Sequence, residues 1–358
     1  MDSEINPPRE VKSVVLGGYG SYNKIKVQPW PLPAGPGEDE VELQVVACGL
    51  NFADVYTRQG LLRDRSPPFV MGMECAGKVT VVGSRVTNIQ VGDRVLCYQH
   101  TGGLHREIVI VPSSNCFVLP EVMSYEEGAS FAANYLTAYF SVLDIGNLRP
   151  GQSVLVHSCA GGVGWAATQL ALSVGPGVTV FGTASAQKHE AAHANGVTHT
   201  LLRDSYAQEL RELSPDGVDV VVDSVGSSNF TVSQDLLKPL GRVVLIGSSS
   251  MITNDQKLSL WSMLKAWWTT KNVSPTDLIM KNRVAAGLHL GQLVEKDPVR
   301  VRQAVKHLFE LYQQGKIRPK IDSQWPLDKV VEATKVLAER RNVGKVLLTI
   351  NDEKPKPQ

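Results

Sequence analysis

Two rhythms of apolar positions divide the chain. From Val11 to about Pro120, short apolar segments read as strands (VKSVVL, VELQVVA, GKVTVVG, DRVLCY and EIVIVP), set apart by Gly, Pro and Asn turns. Near residue 130 the rhythm changes. Apolar runs of five or six residues now alternate with helix-like segments: SVLVH precedes 162–174, VTVFG precedes 185–195, VDVVVD precedes 228–238, and RVVLIG precedes 258–270. Continuous apolar strands interleaved with helices predict a parallel sheet covered on both faces, the doubly wound arrangement that binds nucleotides. A further strand is expected at 284–290. A helix is expected from Asp297-Pro298 to just before Gly315, with Asp as N-cap, Pro in the first turn and Gly past the end. Another helix over 327–340 and the strand GKVLLTI close the chain. The reading is an α/β protein in which both ends, 1–132 and 293–358, build a β-rich domain around a nucleotide-binding domain at 133–292.

Composition narrows the function classes. A chain of 358 residues can bury two cores without disulfides or a structural metal. Its formal charge of +1 gives no strong field toward nucleic acid, so no nucleic-acid partner is expected. The five cysteines are odd in number, spread widely and never form Cys-x-x-Cys, which fits reduced thiols of a cytoplasmic protein. The start, MDSEINPPRE, has neither the basic and apolar run of a secretory signal nor the Arg/Ser bias of a transit peptide. No run reaches the roughly 18–20 apolar residues that span a bilayer. Residues 1–9 and 351–358, rich in Pro or charge, are expected to fray.

The chemistry starts at the loop CAGGVG, Cys159 to Gly164, between SVLVH and a helix of small residues. Backbone N–H groups at a helix N-terminus suit a pyrophosphate, and the helix dipole favours its charge. Gly161 leaves room for close approach, Gly162 and Val163 continue the turn, and Gly164 allows helix to pack on strand. Cys159 stands where the usual G-x-G-x-x-G has its first glycine. About 20 residues on, an NAD site has a carboxylate for the ribose hydroxyls. This chain has Gly182-Thr183-Ala184-Ser185 instead, with Lys188 one turn later and Arg203 after the third strand. A hydroxyl and cations with no acid point to NADPH. Lys188 and Arg203 read alternatively as solvated surface residues.

The blocks GLNFADVYTRQG (49–60), PPFVMGMECAGKVTVVG (67–83), GDRV (92–95) and AGGVG together resemble the quinone oxidoreductases of the medium-chain dehydrogenase/reductase superfamily. The resemblance covers nearly the whole chain. ACGLNFAD, NYLTAYFSV, FGTASAQKHEA, the Trp-Trp segment, GLHLG and NVGKVLL bring it nearest to the synaptic-vesicle, vesicle-amine-transport type of that group. It implies a GroES-like β-rich domain joined to a Rossmann-type domain. It also implies that Asn51 and Tyr56 lie beside the nicotinamide, with Thr137 near the dinucleotide. Gly161, Gly162, Val163, Gly164, Thr183, Ser185, Lys188, Gly247 and Lys345 would line the NADPH groove. Arg203 stands where the group has a nucleotide-binding Tyr. Zinc-dependent relatives have a Cys ligand at the position of Asn51 and a His-Glu pair at Met73-Glu74, so no catalytic zinc is expected.

Without a Lewis acid, hydride transfer to a quinone or an activated alkene is the expected reaction, because the product anion is delocalised. His100 and His105 read as polar surface histidines near the cleft. LWSMLKAWW (260–268) would place Leu260, Trp261, Leu264, Trp267 and Trp268 on one helix stripe. That stripe either packs inside or contacts a membrane surface. A homodimer is expected through the strand edge at 284–290. The alternative to an enzyme is a nucleotide-binding adaptor or lipid-handling protein, peripheral on vesicle or mitochondrial outer membranes.

Overall fold

The computed structural model describes residues 9–63, 65–252 and 274–350. The tryptophan segment 258–270 therefore lies outside the described residues, as do 1–8 and 351–358.

The N-terminal part is β-rich, as its short apolar segments predict. Strands β1 (Arg9–Leu16), β2 (Ile25–Leu32) and β4 (Phe69–Val70) form a small sheet in the order β2-β1-β4. A larger sheet contains β3 (Glu40–Gly49), β5 (Glu74–Val82), β6 (Arg94–Tyr98), β7 (Ile108–Pro112) and β8 (Cys116–Val118). Its order is β15-β16-β3-β5-β6-β8, with β7 also on β3, where β15 (Ile321–Pro326) and β16 (Lys345–Thr349) come from the end of the chain. The antiparallel pairing of β16 with β3 sets Leu348 opposite Cys48 and makes both chain ends one sheet. On that sheet Cys48 faces Cys75, Cys75 faces Cys97, and Cys97 faces Cys116, a row of thiols across four strands. All four are buried in the core with Val41, Leu43 and Val95.

The second sheet has the order β11-β10-β9-β12-β13-β14, and every pair in it is parallel. The strands are β9 (Ser153–Val156), β10 (Thr179–Ala184), β11 (His199–Leu202), β12 (Val218–Asp223), β13 (Leu237–Leu245) and β14 (Val284–Gly287). Strand β9 is central and buried at all four positions, because helices cover both faces. The order reverses between β9 and β12, and doubly wound sheets bind their ligands at such a point.

Helix boundaries follow local chemistry. The helix Pro298–Gln313 begins at Asp297, whose carboxylate accepts from the Arg300 N–H at 3.1 Å, and Gly315 follows with φ +71°. Three expectations need correction. The helix expected over 185–195 is a 3-10 turn (Ala186–Lys188) followed by His189–Ala194. The helix expected to 238 stops at Asp235, because Leu237 already pairs with Val218. The strand expected to 290 ends at Gly287, because His289 caps the helix Leu290–Lys296 by accepting from the Gln292 N–H.

Candidate active site

Strand β9 runs through His157 into Ser158, whose φ of +55° turns the chain toward helix α4 (Gly162–Ser173, numbered as the fourth helix after Phe52–Gln59, Tyr125–Ala129 and Ala132–Tyr139). A Cβ on Gly164 would lie 2.3 Å from the Ser158 carbonyl, and one on Gly162 would lie 2.5 Å from the Asn134 amide. At Gly161 a Cβ would meet only the Ser158 carbonyl at 3.3 Å, so this turn stays open on its cavity side. The cysteine at the first glycine position has a physical explanation. A Cβ on Gly182 would sit 2.6 Å from the Cys159 sulfur, so the space given up at 159 is taken from β10 instead. The C-terminal chain closes over the loop: Gly344 bridges Gly161 and donates its N–H to the Ala160 carbonyl at 2.9 Å.

The loop opens into a cavity of about 1010 Å³. It is lined by Asn51, Tyr56, Thr137, Gly161 to Gly164, Thr183, Lys188, Arg203, Gly247 and Lys345, so the sequence-derived residues converge on one space. Ser185 is the exception. It lies outside the lining, and its carbonyl accepts from the Lys188 N–H at 2.9 Å.

Lys188 is neither solvated nor a free phosphate ligand. It is 6% exposed, and its ammonium donates to the carbonyls of Arg340 (2.7 Å) and Asn342 (2.5 Å), tying the C-terminal segment to the nucleotide-binding sheet. Burial, and then the neighbouring Arg203, push its pKa down. Arg340, which sequence reasoning missed, has φ +56° and donates to the Ser249 carbonyl at 2.8 Å. Burial and Arg203 depress it as well. Among the described residues none of Lys188, Arg203 and Arg340 has an ion-pair partner. This end of the cavity is therefore cationic.

At the other end, Asn51 precedes helix α1 (Phe52–Gln59), and its N–H donates to Asp54 at 2.8 Å. Its side-chain amide is held on both sides. Nδ2 donates to Glu74 at 2.8 Å, and Oδ1 accepts from the Lys345 ammonium at 2.7 Å. Lys345 also pairs with Glu74, and the two are 3% and 1% exposed at their side chains. The second oxygen of Glu74 accepts from the Ala133 N–H at 2.9 Å, at the start of α3 (Ala132–Tyr139). Lys345 is thus a buried partner of Asn51 and not a surface charge. Glu74 was missed as a site residue, although it stands in the Met-Glu that replaces the His-Glu of zinc-dependent relatives. Tyr56 is half-buried, and its hydroxyl accepts from the Ser248 N–H at 3.3 Å. Burial raises its pKa.

Between these ends the walls are apolar, with Phe52, Leu62, Met73, Phe140, Leu290 and Leu293 among them. Phe140 begins a π-helical turn, Phe140–Asp144, that continues α3, and such turns recur at functional sites. His100 lines the cavity. His105 does not lie on the surface: it is fully buried, with Nε2 3.4 Å from the Gly49 carbonyl, and a Cβ on Gly72 would fall 2.0 Å from its ring. Among the described residues no group of three or more His, Cys, Asp and Glu side chains is arranged to hold a metal. Among them, too, no helix is long and apolar enough to cross a membrane.

The comparisons with known proteins agree with this architecture. The alcohol dehydrogenase GroES-like domain matches residues 37–121, and the zinc-binding dehydrogenase family matches residues 155–348. The synaptic vesicle membrane protein VAT-1 homolog of Rattus norvegicus is 46% identical over 97% of this chain and 86% of its own length. Among solved structures, the human VAT-1 homolog-like protein superposes with a TM-score of 0.84 at 37% identity, covering 97% of this chain and all of that one. The Escherichia coli quinone oxidoreductase complexed with NADPH superposes with a TM-score of 0.81 at 27% identity, covering 95% and 100%.

Proposed function

The chain belongs to the medium-chain dehydrogenase/reductase superfamily of oxidoreductases, and we propose that it is an NADPH-dependent reductase of quinones or activated alkenes that works without zinc. The observation that carries the cofactor choice is the pair Arg203 and Arg340 at one end of the cavity, beside the carbonyl-bound Lys188, with no acid at the end of β10 to repel a 2′-phosphate. Gly161 and the N-terminus of α4 would hold the pyrophosphate. Gly247, Thr137 and Asn51 would hold the nicotinamide end. A reduced nicotinamide supplies a hydride. The rest falls to the chain's own groups. The apolar wall of Phe52, Leu62 and Phe140 excludes water and offers a flat surface to the acceptor. Tyr56 holds a proton on its hydroxyl at the cavity wall, available to the anion left by hydride transfer.

The residues present do not suit a catalytic zinc. Asn51 is committed on both sides of its amide, Glu74 is neutralised by the Lys345 ammonium, and Met73 offers only a thioether. Peripheral association with membranes is part of the proposal, supported by the name of the vesicle membrane relative. The test is NADPH oxidation measured against a panel of quinones, enones and simple ketones, with metal analysis of the same sample. Turnover of quinones or enones without bound zinc is expected. Activity confined to alcohols and ketones, or zinc at one per chain, would overturn the reading.

A further inference from the structure

A buried polar chain lies beneath the crevice and meets the groups used above at Thr183. At its upper end the Ser158 N–H donates to the Thr183 hydroxyl at 3.1 Å. Thr183 lies 3.2 Å from His157 Nδ1, and Nε2 of the same ring lies 3.1 Å from the Ser233 hydroxyl. Ser233 donates to Asp223 Oδ2 at 3.0 Å, and Asn229 donates to the same oxygen at 3.1 Å. The other oxygen, Oδ1, accepts from the Val225 N–H (2.8 Å) and the Gly226 N–H (3.0 Å). His157, Thr183, Ser233 and Asp223 are all nine-tenths or more buried.

A proton count, with the shorter contact taken where the chain branches, gives it a direction. The carboxylate only accepts, so Ser233 spends its single proton on Asp223. Ser233 can then only accept. The contacts to it are His157 Nε2 at 3.1 Å and the Asn229 amide at 3.3 Å, an amide that also lies 3.3 Å from Nε2. The shorter contact puts the imidazole proton on Nε2. Nδ1 is left as an acceptor, and the Thr183 hydroxyl must donate to it. The Thr183 oxygen is then presented to the Ser158 N–H, in the residue whose left-handed backbone turns β9 into the dinucleotide loop. The carboxylate that starts this chain also pins the turn 224–226, whose Ser224 lines the opposite wall. Ser249 and Ser250 in turn donate their N–H groups to the Ser224 and Val225 carbonyls. One buried carboxylate therefore reaches both walls of the crevice where the strand order reverses.

We propose that Asp223, acting through Ser233 and a neutral Nε2–H His157, is the positioning residue that sets the dinucleotide-binding turns, and that cofactor binding requires this tautomer. Among the described residues the ionisable groups facing the imidazole are Asp223 and Tyr206, whose ring meets it edge-on at 4.9 Å. Burial depresses the imidazole, so it stays neutral at neutral pH, while Asp223 opposes that shift. Burial pushes the Tyr206 phenol up to about 12, so it too stays neutral. Protonating His157 places a hydrogen on Nδ1 against the Thr183 proton, so the hydroxyl must turn and share its oxygen between Nδ1–H and the Ser158 N–H, which loosens the anchor of Ser158. Affinity should then fall as pH drops through the lowered imidazole pKa. The effect should be the same for NADH and NADPH, since it lies in the shared turns and not at the 2′-phosphate.

This inference rests on the dinucleotide reading, and the experiment separates the two. Nitrogen-15 NMR of histidine-labelled protein reads the tautomer without any ligand. Fluorescence titration gives Kd for NADPH and NADH from neutral to acid pH. We expect an Nε2–H signal in the wild type. In Asp223→Asn the chain can reverse, so the tautomer should switch to Nδ1–H, and both Kd values should rise about tenfold, the loss of one buried hydrogen bond. Should Asp223→Asn unfold, Thr183→Val, which removes the hydroxyl shared by the Ser158 N–H and His157 Nδ1, should raise both Kd values similarly. An Nδ1–H wild type, or a folded Asp223→Asn that binds both dinucleotides as the wild type does, would overturn the inference alone. A wild type that binds neither would overturn the dinucleotide reading, and this inference with it.

Discussion

The Lys345 ammonium lies 2.7 Å from Oδ1 of Asn51, a residue 294 positions earlier, and both also bond the Glu74 carboxylate. An amide, a carboxylate and an ammonium thus meet where zinc-dependent relatives have metal ligands. A buried pair of this kind strongly resists losing one member. Lys345→Met and Glu74→Gln should each destabilise the fold by about 3–5 kcal/mol, because either leaves a charge without its partner. The double variant should recover much of that loss. Chemical denaturation of all four proteins checks it, and additive losses would contradict the pairing.

Arg203 and Lys188 separate cofactor discrimination from stability. Arg203→Ala should raise the Kd of NADPH tenfold or more, about 1.5–3 kcal/mol for a charge-assisted contact, and change that of NADH little. Lys188→Ala should differ. Its ammonium holds the Arg340 and Asn342 carbonyls, so the variant should also lower the melting temperature. Parallel titrations and thermal melts distinguish the two patterns.

Tyr56 makes a prediction about pH. Burial raises its pKa above the usual phenol value, so the protonated donor persists through neutral pH and is lost only above the ordinary phenol range. Reductase activity limited by this proton should fall on the alkaline side alone, and Tyr56→Phe should remove that limb. A limb that survives in the variant would assign the proton elsewhere.

Among the described residues strand β14 pairs only with β13, and its outer edge has no strand beside it. Around that edge Leu240, Ile279 and Met280 are each about three-quarters exposed. Isolated side chains this exposed are ordinary, but a cluster beside an open strand edge is a site for association. We propose that a second copy of the chain covers it, β14 to β14. Light scattering should give the mass of two chains at micromolar concentration, and Met280→Asp should shift it toward one.

Legibility in the sequence followed burial. Strands β9 and β12 were plain because both faces are covered and their apolar runs are unbroken. Strand β2 was not: IKVQPWPL carries two prolines and pairs only with β1, an edge position that tolerates them. Strand β15, IDSQWP, is half-exposed and polar for the same reason. The loop 161–164 and the positions Asn51 and Tyr56 could be read from motif and resemblance, because each depends on local chain geometry. The Glu74–Lys345 pair and the lysine anchor at Arg340 could not, because those contacts close over 271 and 152 residues. His105 misled because a histidine among glycines looks like loop. It packs where Gly72 lacks a side chain.

The row of cysteines across the β-rich sheet bears on how such an enzyme would survive its own substrates. Quinones and enones are soft electrophiles that alkylate thiolates, and exposed cysteines of a protein turning them over would be consumed. Here Cys48, Cys75, Cys97, Cys116 and Cys159 are all buried. Burial raises the Cys48 thiol, mutual contacts with Cys116 and Cys75 raise Cys97, and burial takes Cys159 to about 12. The folded protein therefore presents no nucleophilic sulfur to the acceptors it is proposed to reduce. Intact mass after prolonged exposure to a quinone should be unchanged while the fold persists, with five adducts possible once it is denatured.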